Sequence, residues 1–249
     1  MSVKACAELV QRGDPDRFLA AMAAPVGARR VLFPLYAFNL EVARAPWASA
    51  EPLIVEMRLQ WWRDALDEIA EGRPVRRHEV SLPLAEVLDA EGARLLDRLV
   101  AARRMDVEVQ PFAEMAAFDR YLDETGGTLA WVAARALGAS GERAVRDVAW
   151  AGALANYLLG VPQLALHGRV PLPPGADLTS MAEKGLERLQ RGRRDQEATA
   201  RPALLAAWQA EGVLRKAWKD PEAVERGALK ASEFRRRLRL MWAAATGRV

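Results

Sequence analysis

The segment "EPLIVEMRLQWWRDALDEIAEG", residues 51–72, has the hydrophobic spacing of an amphipathic helix. Its apolar residues recur at helical intervals and would form one stripe facing a core. The stripe consists of Val55, Leu59, Trp62, Leu66 and Ile69. Arg63 and Asp67 are spaced to pair on the outer surface of the helix. Gly72 followed by Pro74 is typical of a helix end.

The same signs recur along the chain and predict an all-α protein. Ala, Leu, Glu and Arg are plentiful, while runs of β-branched and aromatic residues between turns are scarce. The predicted helices span residues 15–23, 27–44, 50–71, 81–90, 92–105, 111–124, 126–138, 142–161, 177–191 and, with breaks, 196–246. The most linker-like stretch, Val170–Ala176, is short, so we expect one helical domain over residues 1–249.

The composition is that of a globular protein, with 249 residues of which 51% are hydrophobic. No apolar run is long enough to cross a membrane, and the first residues lack the apolar core of a secretory signal. Cys6 is the single cysteine. It excludes an internal disulfide and a cysteine-built metal site, and it fits a reducing cytoplasm. We therefore expect a cytoplasmic protein.

The charge pattern argues against a nucleic-acid partner. The 36 basic residues nearly balance 33 acidic residues, and the net charge is +3. The basic residues are spread along the chain, and their local clusters lack the interleaved aromatic residues on which single-stranded bases stack.

One pair of carboxylates has a spacing that suits a metal ion. Asp119 and Asp123 lie just before Gly126–Gly127, and on a helix they would share a face, about 6 Å apart at Cβ. This arrangement suits Mg²⁺ shared with a diphosphate. The alternative, which the pattern favours, is a solvated face on which Arg120 pairs with Glu124.

Isolated polar residues carry less information. His167 has no Ser, Cys or Asp nearby in sequence, and it falls at a predicted helix end, where histidine can interact with terminal carbonyl groups. His78 lies in "HEVSLP", which is typical of a loop and a helix start. Asn156 belongs to a face of small residues that also holds Ala149, Gly152, Ala153 and Gly160. Such a face admits a neighbouring helix or a ligand, so Asn156 is either a satisfied core group or a cavity group. The spacing alone favours the structural role.

Residues 234–242, "FRRRLRLMW", intersperse arginines with large apolar residues in the last predicted helix. One interpretation is a helix that lies on an anionic membrane surface. The other, which amphipathicity favours, is a helix docked on the protein by its apolar face, with its arginines in solvent.

Several stretches, taken in order, resemble the squalene/phytoene synthase family. They are "DRFLAAMAAP", "ARRVLFPLYAFNLEVARA", "MRLQWWRDALDEI", "FDRYLDETGGTLAWVAARALG" and "GRVPLPP", and they cover roughly residues 15–175. The resemblance implies a helical bundle around a central cavity. It also implies a condensation of two prenyl diphosphates, in which aspartate-rich helices hold Mg²⁺.

The aspartates of that family are replaced in this chain. The first motif of the family, DDxxD, follows a Tyr-Ala-Phe landmark that begins here at Tyr36. Its carboxylate positions hold Ala43, Arg44 and Trp47. Arg44 places a positive charge where the metal would lie, which repels Mg²⁺ and can attract an anion. Arg29 matches a family arginine that contacts diphosphate.

The second motif has lost its carboxylates in the same way. Asn156 and Arg169 match its two ends, with the spacing of the family. The positions of its inner arginine and two aspartates hold Leu159, Gly160 and Leu164.

The chain resembles most the branch that lacks these aspartates, which includes the mitochondrial complex I assembly factor. The resemblance implies a protein without prenyl transfer and without a cofactor. Such a protein binds a prenyl diphosphate or lipid-like ligand and acts through a partner in respiratory-complex assembly. It looks bacterial rather than mitochondrial, and cytoplasmic or peripheral at the inner face of the membrane. The implied ligand-binding residues are Arg29, Tyr36, Arg44, Tyr121, Asn156 and Arg169.

The alternative is a working Mg²⁺-dependent prenyl diphosphate transferase of isoprenoid biosynthesis. In that case Asp119, Asp123 and Glu41 would hold Mg²⁺ in place of the missing aspartates.

Overall fold

The computed structural model describes residues 2–49 and 51–247. The α-helices are α1 (Val3–Gly13), α2 (Pro15–Ala23), α3 (Val26–Arg44), α4 (Pro52–Ala70), α5 (Ser81–Ala85), α6 (Ala90–Ala102), α7 (Met115–Leu122), α8 (Thr128–Ala136), α9 (Glu142–Leu166), α10 (Leu178–Asp195), α11 (Arg201–Leu204), α12 (Ala210–Lys219) and α13 (Glu233–Thr246). Short 3₁₀ turns cover Ala45–Trp47, Arg103–Val107, Ala198–Ala200, Leu205–Ala207 and Pro221–Ala223, and a π turn covers Asp123–Gly127. No strand occurs in the two described ranges, which confirms the all-α class.

The helix predicted over 50–71 is α4, and residue 50 lies outside the described residues. Its apolar stripe is buried except for Ile69, which is half-buried, and the helix packs against α6. The predicted pair between Arg63 and Asp67 is wrong, because Arg63 reaches across to Asp97 of α6. The two hydrogen bonds, of 2.6 and 3.0 Å, form a bidentate pair that a neighbour on the same helix cannot offer as well.

Several helices differ in extent from the sequence prediction, among them α1 and α9. α1 was not predicted, because its polar segment buries only Cys6 and Val10. α9 was predicted to end at residue 161, but it continues through Pro162 to Leu166. Proline removes one helical hydrogen bond, and the packing of α9 against α8, α10 and α12 holds the helix together across that gap.

The centre of the bundle is formed by α3 and α9. α3 is buried over most of its length and packs against α1, α2 and α8. The small residues of α9 allow close approach by other backbone segments. A Cβ on Gly152 would come within 2.9 Å of the Cβ of Ala207, and a Cβ on Gly126 within 2.5 Å of the Cβ of Ala153. The π turn therefore lies directly on α9 and fixes α7 and α8 beside it.

α13 docks on α2 and on the 3₁₀ turn at 205–207. The expectation that its apolar face would dock is wrong for most of that face. The buried residues are Arg236, Leu240 and Ala243, whereas Phe234 and Trp242 are exposed. Arg236 is buried because a carboxylate and a side-chain amide accept its hydrogen bonds, as described below. No helix among the described residues is long and apolar enough to span a bilayer.

Candidate functional site

A cavity of about 660 Å³ lies inside the bundle, so the expected central cavity is present and open. One wall is α9, and the opposite walls come from the start of α2, the end of α3, the 3₁₀ turn at 103–107, and α7 with the π turn. The residues of α9 that line it are Ala153, Asn156, Tyr157, Gly160, Gln163 and Leu164. Their spacing follows one face of a helix.

Four of the five positions that match the missing aspartates face this cavity, and Arg44 is the exception. Ala43 lines it from the end of α3, Trp47 from the 3₁₀ turn that follows, and Gly160 and Leu164 from α9. Gly160 and Leu164 lie one turn apart, as a pair of metal-binding carboxylates would. The cavity therefore occupies the place of a diphosphate–metal site, but small, aliphatic and aromatic groups form its wall there.

Arg44 and Arg29 lie outside the cavity, although the resemblance implied that both bind ligand. Successive residues on a helix point about 100° apart, so Ala43 faces the cavity and Arg44 does not. The Arg44 guanidinium instead lies against Gly13 of α1. Arg29 donates a hydrogen bond of 2.7 Å to the carbonyl oxygen of Met22.

Two arginines in the cavity wall are paired with carboxylates. Arg17 donates to Asp14, the N-cap of α2, at 2.7 Å. Arg103 contacts Asp106 at 3.1 Å. Each pair balances its own charge, yet the Nε atoms of both arginines are buried and lack an acceptor among the described residues. Because these Nε atoms are buried, they do not face the open volume, and the wall carries two arginines without carrying two net charges.

Tyr121 joins the second of these pairs. Its hydroxyl donates to Asp106 at 2.5 Å and accepts from Arg103 at 2.8 Å. Burial raises the pKa of Tyr121 well above its usual range, so it is a neutral hydroxyl at physiological pH. Tyr121 lines the cavity, as the resemblance implied, but its hydroxyl is already occupied by two partners.

Arg169 lines the cavity near the end of α9. Its guanidinium carbon lies 5.3 Å from the centroid of the Trp47 ring, and it donates to the carbonyl oxygen of Glu108. The imidazole of His167 lies 5.3 Å from the same tryptophan ring. The residue that replaces a metal-binding aspartate therefore holds Arg169 through a cation–π contact.

Asn156 is exposed to the cavity and has no hydrogen-bond partner within residues 2–49 and 51–247. Of its two alternatives, the structure favours the cavity group over the satisfied core group. Tyr36 is placed differently: it is buried, and its hydroxyl lies 3.4 Å from the carbonyl oxygen of Ala203. It lines a narrow gap of about 40 Å³ beside Asn156 rather than the main cavity.

Asp119 and Asp123 do not reach the cavity. They line an open groove on the outside of the bundle, between the π turn, α9 and α10. We call it the outer groove, and its other charged residues are Arg120, Glu124, Glu142, Arg143, Arg146, Asp147 and Arg188. Asp119 pairs with Lys184 and Asp123 with Arg146, while the predicted pair between Arg120 and Glu124 is not found within the described residues. Glu41 is not among the residues that line the cavity or the outer groove.

Both histidines have the structural roles that the sequence favoured. The His78 ring packs against Trp61 and Trp62, and its centroid lies 5.2 Å from that of the Trp61 ring and 5.4 Å from that of the Trp62 ring. His167 follows the last residue of α9, and its Nδ1 lies 2.8 Å from the carbonyl oxygen of Gln163.

The sequence analysis gave no ligand role to Arg17, Arg103 or Asp106. A signal for Arg17 was present in "DPDR", residues 14–17. Asp followed by Pro is typical of a helix N-terminus, where the Asp accepts hydrogen bonds from the first turn of the helix, and Arg17 lies in that turn. Arg103 and Asp106 gave no such signal, since a 3₁₀ turn brings them together.

The donor set of the cavity does not fit Mg²⁺. That ion requires carboxylate oxygens in a near-octahedral arrangement, and the aspartates at the cavity wall are engaged with arginines. Asp16, the third of them, accepts from Arg236 and Gln209. No group of three or more acidic, histidine or cysteine residues within the described ranges is placed to hold a metal ion.

The fold has a close structural counterpart. The chain is similar to a dehydrosqualene synthase solved in complex with a ligand, with a TM-score of 0.78 at 15% identity, over 98% of this chain and 95% of that chain. This likeness shows the isoprenoid synthase fold. The family model for squalene/phytoene synthase matches residues 10–246.

The curated relatives are complex I assembly factors. The Drosophila melanogaster "NADH dehydrogenase (ubiquinone) complex I, assembly factor 6 homolog" is 30% identical over 132 residues, which are 51% of this chain and 40% of the relative. The Mus musculus "NADH dehydrogenase (ubiquinone) complex I, assembly factor 6" is 24% identical over 173 residues, 68% of this chain and 52% of the relative. The chain thus spans about half the length of these relatives or less. Because the family model covers nearly the whole sequence, the chain belongs to the squalene/phytoene synthase family.

Proposed function

We propose that this chain is a squalene/phytoene synthase-like protein that does not transfer prenyl groups. It binds a lipid-like ligand in the cavity and acts through protein partners in respiratory-complex assembly. The observation that carries this proposal is the cavity wall, where Ala43, Trp47, Gly160 and Leu164 stand in place of metal-binding aspartates. The similarity to complex I assembly factors supports the second part.

The charges of the wall favour a ligand with a neutral or singly charged headgroup. Arg17 and Arg103 are each neutralised by an aspartate, so they offer a diphosphate little net attraction. Arg169 has no carboxylate partner among the described residues, which leaves one cation. A headgroup oxygen could accept from the exposed amide of Asn156, which lines the cavity.

The same wall supports the absence of a Mg²⁺ requirement. Departure of a diphosphate needs strong stabilisation of its developing charge, which a metal ion supplies in prenyl transfer. The aspartates of the wall are engaged in ion pairs, and Glu108, which also lines it, is a single carboxylate. The alternative, a transferase that uses Asp119, Asp123 and Glu41, gains no support from their positions outside the cavity.

Our proposal also includes a location. We expect the protein to work at the inner face of a membrane as a peripheral protein, with contact through residues 234–242. This surface is separate from the cavity.

Ligand titration tests the proposed binding. The purified chain is titrated with geranylgeraniol and with geranylgeranyl diphosphate, each with and without Mg²⁺, while tryptophan fluorescence is recorded. Trp47 lines the cavity and reports on its occupancy, and Trp47→Phe identifies its share of the signal. We expect the alcohol to bind, with no effect of Mg²⁺. Mg²⁺-dependent condensation of geranylgeranyl or farnesyl diphosphate would overturn the proposal.

A cavity-filling variant links the ligand to the cellular role. A Cβ on Gly160 would meet open space, so Gly160→Trp fills the cavity without displacing backbone. Gly27→Trp is the matched control, since Gly27 also faces open space but lies outside the cavity. In cells that lack the chain, complex I assembly is followed on native gels. We expect rescue by the parent and by Gly27→Trp but not by Gly160→Trp, and equal rescue by both variants would contradict the ligand role.

A further inference from the structure

α13 has an exposed apolar arc on the side that faces away from the protein. The arc consists of Phe234, Leu238, Met241 and Trp242, which are 76%, 56%, 69% and 51% exposed. At 3.6 residues per turn these four side chains fall within an arc of about 100°. Soluble surfaces seldom leave so many large apolar side chains contiguous and uncovered, so the arc indicates an interaction site.

The opposite side of α13 is anchored firmly to the bundle. Arg236 donates to Gln209 at 2.8 Å and also to Asp16, and its guanidinium carbon lies 5.5 Å from the ring centroid of Trp208. Leu240 packs beside it in the core. Because these contacts fix the rotation of the helix about its axis, the arc cannot turn inward without breaking a buried ion pair.

Cations lie on both margins of the arc. On the helical wheel, Arg235 follows Trp242 on one side and Arg237 follows Met241 on the other. Arg235 is exposed and has no ion-pair partner in the part of the chain that the structure describes, while Arg237 pairs with the exposed Glu233 at 3.2 Å. An apolar arc with an arginine on each side complements a surface that is apolar beneath and anionic on top, which describes a bilayer with acidic headgroups.

We infer that α13 is an in-plane membrane helix that binds an anionic bilayer surface through this arc. The inference rests on the peripheral membrane contact in the proposed function, and it names the face of the helix and the charge of the lipid. The arc enters the boundary between headgroups and acyl chains, and the flanking arginines lie at headgroup depth. Asp16 and Gln209, which hold Arg236, also line the cavity, so the bound helix keeps the cavity at a fixed position relative to the bilayer.

Co-sedimentation with vesicles tests the inference. The full chain is mixed with vesicles of phosphatidylcholine alone or with added phosphatidylglycerol, at low and high salt. We expect binding to the anionic vesicles that weakens with salt, and a blue shift of Trp242 fluorescence. Leu238→Ser with Trp242→Ser, and separately Arg235→Glu with Arg237→Glu, should each weaken the partition by about tenfold or more.

Matched substitutions elsewhere serve as controls. Leu53 and Met57 of α4 are 71% and 64% exposed, so Leu53→Ser with Met57→Ser removes comparable apolar surface. Arg94→Glu with Arg98→Glu reverses two exposed charges on α6. Both controls should bind vesicles as the parent does.

Three results would overturn the inference: no binding by the parent, equal binding to neutral vesicles, or equal loss in a control. A parent dimer that the arc variants dissociate, seen by sedimentation velocity, would assign the arc to a second copy of the chain and would also overturn it.

The arc variants should still bind geranylgeraniol in solution. Failure of vesicle binding alone therefore leaves the cavity proposal standing, and failure of ligand binding in parent and variants alike leaves this inference standing.

Discussion

The cavity and the outer groove both contain aspartates, and in both regions these aspartates form ion pairs with arginine or lysine. The pairs in the cavity wall are Asp14–Arg17, Asp16–Arg236 and Asp106–Arg103. Those of the outer groove are Asp119–Lys184, Asp123–Arg146, Asp147–Arg188 and Asp147–Arg191. The cavity additionally exposes the amide of Asn156, which has no hydrogen-bond partner among the described residues, whereas the pairs of the outer groove tie helices together. An acidic cluster is therefore not by itself a sign of a binding site, because its carboxylates can serve to join helices.

Asp147 shows the structural use of a carboxylate most clearly. Its side chain is 5% exposed, and it accepts hydrogen bonds from Arg188 at 2.8 Å and from Arg191 at 2.6 Å. Burial acts to raise the pKa of Asp147, but the hydrogen bonds from the two arginines of α10 outweigh it and lower that pKa. The carboxylate joins α9 to α10.

Restoring carboxylates to the cavity should have the largest effect. In a variant with Ala43→Asp, Trp47→Asp, Gly160→Asp and Leu164→Asp, two facing pairs of carboxylates line the cavity without arginine partners of their own. We expect Mg²⁺ to bind with a Kd of about 1 mM or lower, equivalent to about 4 kcal/mol, as measured by isothermal titration calorimetry.

The matched control places Asn at the same four positions, which keeps the shape and removes the charge. It should bind no Mg²⁺. If the parent chain bound Mg²⁺ as tightly as the Asp variant, the existing donors of the cavity would be adequate and our account of its wall would be wrong.

In the outer groove, Asp147→Asn should lower the free energy of unfolding by about 2 kcal/mol. The change leaves two arginines without a carboxylate, and the partial exposure of Arg191 limits the loss. Chemical denaturation measures the effect. Glu142→Gln, which breaks an exposed pair with Arg146, should cost less than about 0.5 kcal/mol and is the control. Similar losses from the two changes would show that burial does not matter here.

The pH dependence of Asp147 follows from the direction of its pKa shift. A carboxyl group whose pKa is lower in the folded chain contributes its full stability above its ordinary pKa of 3.8 and loses it as pH falls through the folded value. The unfolding free energies of the parent and of Asp147→Asn should therefore differ at neutral pH and converge as pH falls below 3.8. A difference that stays constant across this range would contradict the charged pair.

In the cavity, Asn156→Ala should separate binding from stability. The amide faces open space without a partner, so its loss should change the unfolding free energy by less than about 0.5 kcal/mol. Affinity for geranylgeraniol should fall by about tenfold, or about 1.4 kcal/mol, if the amide binds the headgroup.

Tyr36→Phe provides the reverse case, because its hydroxyl bonds to backbone in the narrow gap. It should cost about 1 kcal/mol of stability and leave binding unchanged. Loss of binding in this variant, with no loss in Asn156→Ala, would reverse the assignment of the two residues.

The smallest effect is expected for Asp119→Ala combined with Asp123→Ala. Both side chains are partly exposed and paired at the surface, so stability should fall by about 1 kcal/mol or less. Ligand binding in the cavity should not change. A loss of ligand binding, or of any Mg²⁺-dependent turnover, would instead support the transferase alternative.

Much of the fold could be predicted because helix formation depends on local spacing. α2 was predicted at its observed bounds, and α4 within two residues at each end. The Arg63–Asp67 pair failed because an arginine can reach a carboxylate on the next helix as easily as one on its own. For the candidate site, the matching positions were found from the sequence, and Ala43, Trp47, Gly160 and Leu164 do line one cavity.

The residues alone were sufficient to establish the helical class, since it depends on residue type and short-range spacing, and the family resemblance added the replacement of carboxylates at the matching positions. They were not sufficient to establish which side of each helix faces the cavity or the solvent. Arg44 turned away from the cavity, and the apolar arc of α13 turned away from the core. That rotation is set by partners far away in sequence, such as Arg236 and Asp16, which are 220 residues apart. Only folding brings such partners together.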